Sequence, residues 1–218
     1  MFFLPSYDRP SRLAELANAP GGMPEDILVL LNEDDPQLEI YRRSCPWKIE
    51  TVAAGSRLVD ALEESYARHP NEEFYGFLSD DQWQIDPGWD KAMIEAAEDR
   101  YVVHPNGDNT CWPLMRGPTF GAGKHVLKAL GGVMPPGFGW RHNFIDVVWC
   151  QIGDDVGFRR GLEHYHVHHI HWRFTPGVAT DASYDRSSKD QQEDYQRYSR
   201  WMSSENRTQA QNYLRDLS

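Results

Sequence analysis

FLSDDQWQIDPGWD, from Phe77 to Asp90, follows FYG so that a hydrophobic run, FYGFL, ends on two adjacent carboxylates. Adjacent acids repel each other and seek water, so an exposed turn capping the next helix is their ordinary use. Here the pair sits where a buried strand would emerge. In open α/β sheets ligands collect outside the carboxyl ends of the strands, and that position favours a site. Hard oxygen donors there suit Mg2+ or Mn2+, which are commonly held by one or two carboxylates together with a substrate's phosphates.

Outward from this turn, strand-length apolar runs alternate with amphipathic segments, the pattern of an α/β sheet. Phe2 to Leu4 reads as a strand broken by Pro5, SRLAELANA as a helix, and DILVLL as a strand covered on both faces that ends in the acidic NEDDP. WKIETV predicts a third strand. Gly55 and Ser56 mark a break and cap before the helix RLVDALEESYARHP, and FYGFL is the fourth strand. WDKAMIEAAEDR predicts a helix and YVVHP a short strand. Residues 116–139 read as loop around a helix at KHVLKAL, NFIDVVWCQIG has helical spacing, and GLEHYHVHHIHW alternates like a strand. The division expected is a domain over 1–175 and a helical tail over 176–218. The tail reads as packed on the domain or as a contact in a homo-oligomer, rather than as a catalytic part.

The 218 residues are 40% hydrophobic and include 8 Trp, enough for one packed core. A formal net charge of -11 counts against a broad nucleic-acid or membrane surface. Three cysteines, Cys45, Cys111 and Cys150, have no metal or redox spacing and fit reduced thiols in the cytoplasm. MFFLPSYDRP is too short an apolar start for a signal peptide, and no stretch approaches the length of a membrane span.

Five of the nine histidines, His164, His166, His168, His169 and His171, fall within eight positions. On a strand the first three share one face and the last two the other, so one face can look into a site. Histidines alone could also form a Zn2+ or Fe2+ centre of a hydrolase or oxygenase, although no H-E-x-x-H is present. GAGK at Gly121 to Lys124 is no phosphate loop, because Pro118 and His125 occupy the required Gly and Ser/Thr positions, and there is no G-x-S-x-G.

PSYDRP after the first strand, an acidic end to the second, SDD after the fourth, FID, and HHIH late in the core form an ordered series. From Phe2 to Trp172 this series resembles GT-A nucleotide-sugar glycosyltransferases of the family-2-like type. The resemblance implies a GT-A-like, Rossmann-like mixed sheet flanked by helices with a C-terminal helical appendage. It also implies a metal-dependent transferase that uses Mn2+ or Mg2+ and a nucleoside-diphosphate sugar, UDP being favoured. Ser79-Asp80-Asp81 matches the D-x-D element with Ser79 replacing the first acid; Asp81 becomes the metal ligand and Asp80 faces ribose or the metal's water shell. Pro5, Ser6, Tyr7 and Arg9 match the loop that holds base and phosphates, and Asp34 or Asp35 the place where base or ribose is read. Asp146 matches the general base of inverting members, against the alternative of a carboxylate at a helix N-terminus. His169 or His171 resembles a late metal ligand. Trp83 and Trp140 are candidates to stack on sugar or base, against a place in the core. Arg141 and His142 are candidates to meet acceptor or phosphate. The acceptor is open among glycans, small molecules and hydroxylated DNA bases, the last disfavoured by net charge. A non-catalytic nucleotide- or sugar-binding module would keep the same fold.

Overall fold

A computed structural model describes residues 1–107, 119–170, 177 and 180–217. The chain runs β1 (Phe2–Pro5), α1 (Pro10–Leu16), β2 (Ile27–Asn32), α2 (Leu38–Ser44), β3 (Lys48–Val52), α3 (Leu58–Arg68) and β4 (Phe74–Phe77). It continues through β5 (Gln82–Gln84), α4 (Trp89–Ala97), β6 (Val102–Gly107), β7 (Phe120–Gly123), α5 (Lys124–Leu130) and α6 (Ile145–Val156). It ends with β8 (Arg159–His169), α7 (Ala182–Met202) and α8 (Glu205–Arg215). Among the described residues the strands form one mixed sheet in the order β3-β2-β1-β4-β7-β6-β8-β5. β3, β2, β1 and β4 are parallel, and the strand order reverses between β1 and β4. Such a reversal opens a crevice at the strand ends.

All six residues of β2 are buried, as its unbroken apolar run requires of a strand covered on both faces. On one side Phe3, Leu28, Leu62, Phe77 and Trp149 join a core built with α3, α5, α6 and α8. On the other, Phe2, Leu4, Leu13, Tyr41 and Trp89 pack with α1, α2 and α4. Gly76 lets this second layer close: a Cβ there would lie 2.1 Å from the Phe2 ring. That ring sits edge-on to Phe74 at 5.2 Å and Trp89 at 5.4 Å, a favoured aromatic arrangement.

Three elements differ from the sequence expectation. β5 and β7 form where loop is expected: QWQ is short, and FGAG is poor in strand formers but pairs between β4 and β6. α2 lies beyond the acidic turn, its apolar face reduced to Leu38 and Tyr41. The cap before α3 is Arg57 rather than Ser56, with Asp60 accepting the Arg57 N–H. No helix among the described residues is long and apolar enough to cross a membrane.

The tail helices pack on the first core layer. Trp201, Ala210 and Leu214 are buried there. Asp155 at the end of α6 receives both edges of the Arg207 guanidinium at 2.7 and 2.6 Å and Gln211 at 2.8 Å. Burial works to raise the Asp155 pKa, but Arg207, Gln211 and Gln151 hold it below the ordinary carboxylate value. A depressed folded pKa gives stability that is present above the unfolded value of about 3.9 and disappears as pH falls through the folded pKa. Asp155→Ala should therefore lower stability by about 2 kcal/mol in urea unfolding at pH 7, and by less when both proteins are compared below about pH 3.5.

Candidate functional site

The crevice at the ends of β1, β2 and β4 holds a cavity of about 330 Å³. Its polar end is built on the Asp80-Asp81 turn, whose two residues are each only 4% exposed. Neither carboxylate reaches bulk water, so each needs partners within the protein. Asp80 turns toward the first loop, where Ser6 donates its hydroxyl at 2.7 Å and Arg9 Nη1 donates at 2.8 Å. Ser6 also contacts the Tyr41 hydroxyl at 2.8 Å. Asp81 turns the other way: Ser79 donates to Oδ1, the Tyr184 hydroxyl donates to Oδ2 at 3.0 Å, and His169 Nε2 lies 3.3 Å from Oδ2. Ser79, the departure from the acidic triplet, thus orients Asp81.

Burial pushes the Asp80 pKa up against the pull of Arg9. Burial acts on Asp81 in the same sense, but the hydrogen bonds from His169 and Ser79 and the fields of His169 and Arg9 hold it well below the usual carboxylate range. Arg9 is charged more firmly than usual: burial opposes the charge, and Asp80 and Asp181 outweigh it.

β8 brings His169 to this turn by pairing antiparallel with β5, where Gln82 faces His169 and Trp83 faces His168. The bulge opposite Pro105 and Asn106 breaks the simple alternation of the histidine run. His166 is spent on Asp86 at 2.8 Å. His171 lies outside the described residues, as does Cys111.

Across the cavity, Phe144 precedes α6 in the left-handed region at φ 72°, a conformation strained for a bulky residue. Its ring stacks on Tyr198 at 5.5 Å, and Asp146 follows in the first turn of α6. Burial raises the Asp146 pKa, with the N–H groups of Val147 and Asp146 itself pulling against it. The strained approach to α6 is held from the tail. Asp194, fully buried on α7, accepts the N–H groups of Arg141, His142 and Asn143 at 3.2, 2.9 and 2.8 Å and Arg197 Nη1 at 2.8 Å.

Pro5, Ser6, Tyr7, Arg9, Asp80 and Asp81 therefore line one cavity with His142, Asp146 and His169. Five expected residues stand elsewhere. Asp34 accepts the Gly55 N–H at 3.0 Å, and Asp35 accepts Asp8 N–H at 2.9 Å and Gln37 N–H at 2.7 Å, so both acids shape loops instead of facing the cavity. Trp140 is core, its indole donating to the Pro135 carbonyl at 2.9 Å. Trp83 packs against the opposite core layer. Arg141 leans on Asp190 at 3.7 Å and Glu193 at 3.9 Å. The tail, read as lying apart from the site, instead supplies Tyr184 and Asp181. Arg9 Nε and Nη2 each donate to Asp181 at 2.6 Å, and the Arg9 guanidinium lies 4.3 Å from the Tyr184 ring centre. No spacing in the sequence links positions 9 and 181.

Mn2+ or Mg2+ fits this donor set only in part. Neighbouring ligands of an octahedral ion with bonds of about 2.1 Å stand about 3 Å apart, close to the 3.3 Å between Asp81 Oδ2 and His169 Nε2. The described residues gather no group of three His, Cys, Asp or Glu, so the remaining positions would fall to water or to a substrate's phosphates, as such ions favour. A centre built from histidines alone finds no donor set among the described residues.

No protein-family model matches the sequence, and no curated protein does. Solved structures do share its fold. They include M. tuberculosis glucosyl-3-phosphoglycerate synthase, with 10% identity over 90% of this chain and 79% of that one at a TM-score of 0.55. The same enzyme in complex with Mn2+, uridine diphosphate and phosphoglyceric acid gives 11% identity, 90% and 77% coverage and a TM-score of 0.54. S. aureus TarS 1-349 in complex with UDP-GlcNAc gives 13% identity over 82% of this chain and 61% of that one, at a TM-score of 0.54. The chain thus spans less than two thirds of the TarS chain, and 64% of a mycobacterial protein that it also resembles at a TM-score of 0.54. At these identities the likeness is one of fold, and the fold is the GT-A-like sheet with flanking helices.

Asp194→Ala would strand three buried N–H groups and Arg197, a loss expected to cost about 3 kcal/mol in urea unfolding. If Asp194 holds the approach to α6, amide hydrogen exchange at residues 141–147 should rise in this variant more than at β1 and β2.

Proposed function

We propose that the protein is a metal-dependent glycosyltransferase that moves a sugar from a nucleoside-diphosphate sugar, UDP-linked in preference, to an acceptor hydroxyl. The observation that carries this reading is the pair Asp81 and His169, set 3.3 Å apart beside the Arg9 cation in a cavity at the strand-order reversal. The shared fold supports it, because solved structures of that fold contain UDP-GlcNAc or Mn2+ with uridine diphosphate.

Asp81 and His169 would hold Mn2+ or Mg2+, which when bound supplies positive charge for the departing diphosphate. Ser79 and Tyr184 fix the Asp81 carboxylate by hydrogen bonds. Arg9 contributes a permanent cation beside them, and Pro5, Ser6 and Tyr7 form the wall of the donor loop. Asp146 acts as general base. As the acceptor oxygen bonds to the anomeric carbon, its proton passes to an Asp146 carboxylate oxygen and the bond to the diphosphate breaks on the opposite face, inverting the centre. A pKa raised by burial suits that task, since a carboxylate closer to neutrality is the stronger base. His142 lines the same wall and is placed to meet the acceptor. The free thiols of Cys45 and Cys150 support a cytoplasmic setting.

Thermal melting with UDP, GDP, ADP and CDP, each with and without Mn2+, tests the donor site. A nucleotide at about 100 times its dissociation constant should stabilise the fold by about 2.7 kcal/mol, and Asp81→Asn should abolish the Mn2+-dependent part of the shift. A melt unmoved by every nucleotide would overturn the assignment.

Asp146→Asn should lower kcat by about 100- to 10,000-fold with nucleotide affinity kept. Because the base works only when ionised and its pKa is raised, activity should fall as the solution is acidified, along a limb lying above the ordinary carboxylate value of about 3.9. An unchanged rate in Asp146→Asn would favour a binding module on the same fold.

A further inference from the structure

Arg9 presents two edges. Nη1 faces Asp80, whose side chain is 6% exposed, while Nε and Nη2 face Asp181, whose side chain is 42% exposed. Asp80 is fixed in the sheet-end turn. Asp181 is the partner that can leave, because its carboxylate already touches solvent and belongs to the first turn of a tail helix. The edge it covers is the planar two-donor fork that matches phosphate oxygens as well as it matches a carboxylate. With Asp181 in place, the polar end of the cavity carries three carboxylates, Asp80, Asp81 and Asp181, around one permanent cation. That balance repels a diphosphate. Without Asp181 it drops by one negative charge and opens two strong donors.

We propose that Asp181 is an internal stand-in for the donor's diphosphate: it occupies the outer edge of Arg9 and competes with the nucleotide for it. The inference rests on the donor-site reading above and names Asp181 as the residue that sets donor affinity. Tyr184 belongs to the same latch. Its N–H donates to Asp181 at 3.2 Å, its hydroxyl donates to Asp81 Oδ2 and to the Ile170 carbonyl, and its ring lies against Arg9. Withdrawal of this one helical turn frees both the Arg9 fork and one oxygen of Asp81. The competing explanation is that Asp181 serves only to begin α7, as the acceptor for the Tyr184 N–H. Asn and Ser fill that role about as well as Asp but carry no charge, so they separate the two.

Calorimetric titration of the wild type, Asp181→Asn and Asp181→Ser with the four common nucleoside diphosphates in the presence of Mn2+ decides the matter. Removing the competing charge should tighten nucleotide binding about tenfold in both variants, since apparent affinity is reduced by the fraction of molecules in which the site is closed. Wild-type binding that both variants match or weaken would overturn the latch and leave the donor site standing; Asp181 would then be a helix cap or a ligand of the bound complex. No binding by any of the three, with all of them folded, would overturn the donor site and the latch together.

Discussion

Two adjacent carboxylates cannot share one environment inside a protein. Asp80 and Asp81 are both buried at the end of β4, and the rest of the site follows from how their charges are separated. One points into the first loop and is met by Ser6 and Arg9; the other points toward the last strand and is met by His169 and Tyr184. The turn thereby ties together β1, β8 and the tail, which the chain otherwise keeps far apart. Removing one partner of a buried pair typically costs about 3–5 kcal/mol, because the surviving charge has nowhere to go.

Such an arrangement is a poor way to gain stability. Well-packed apolar side chains of similar volume would serve as well or better, since the desolvation of each charge offsets most of what its partner returns. The strain at Phe144 points the same way: a bulky residue sits in the left-handed region where a glycine would rest without cost. Both departures from the most stable choice border the same cavity. Local rules broken together at one place are what a site for ligands looks like in an otherwise consistent fold.

The frame was legible because it depends on local pattern. β2 is a continuous apolar run, α3 an amphipathic stripe, and the Asp80-Asp81 turn the abrupt end of a hydrophobic strand. His169 was also within reach, since alternation along β8 separates it from His168. What stayed hidden depends on distance in the chain. Arg9 meets Asp181 across 172 positions and Tyr184 meets Asp81 across 103, and no periodicity encodes either meeting. Trp140 and Asp35 show the converse limit. A tryptophan beside a loop looks like a stacking platform until packing buries it. Asp35 is different: its bond to Gln37, two residues on, is a local turn that the sequence DDPQ could have disclosed.

α7 touches both ends of the cavity. Asp181 and Tyr184 reach the donor end, while Asp194 holds the loop before α6 on the other side. Tyr184 and Asp194 are ten positions apart, about 15 Å along a helix. A rigid displacement of α7 would break the bonds at both ends at once. Unwinding its first turn breaks only those at the donor end, where the leading N–H groups have no partners within the helix to lose. Asn143 and Ser187, joined by Asn143 Nδ2 to the Ser187 carbonyl at 3.1 Å, mark where such unwinding would stop. Opening confined to residues before Ser187 leaves Asp194, Phe144 and Asp146 undisturbed. The cheaper motion is therefore also the one that admits a donor while the opposite wall keeps its geometry.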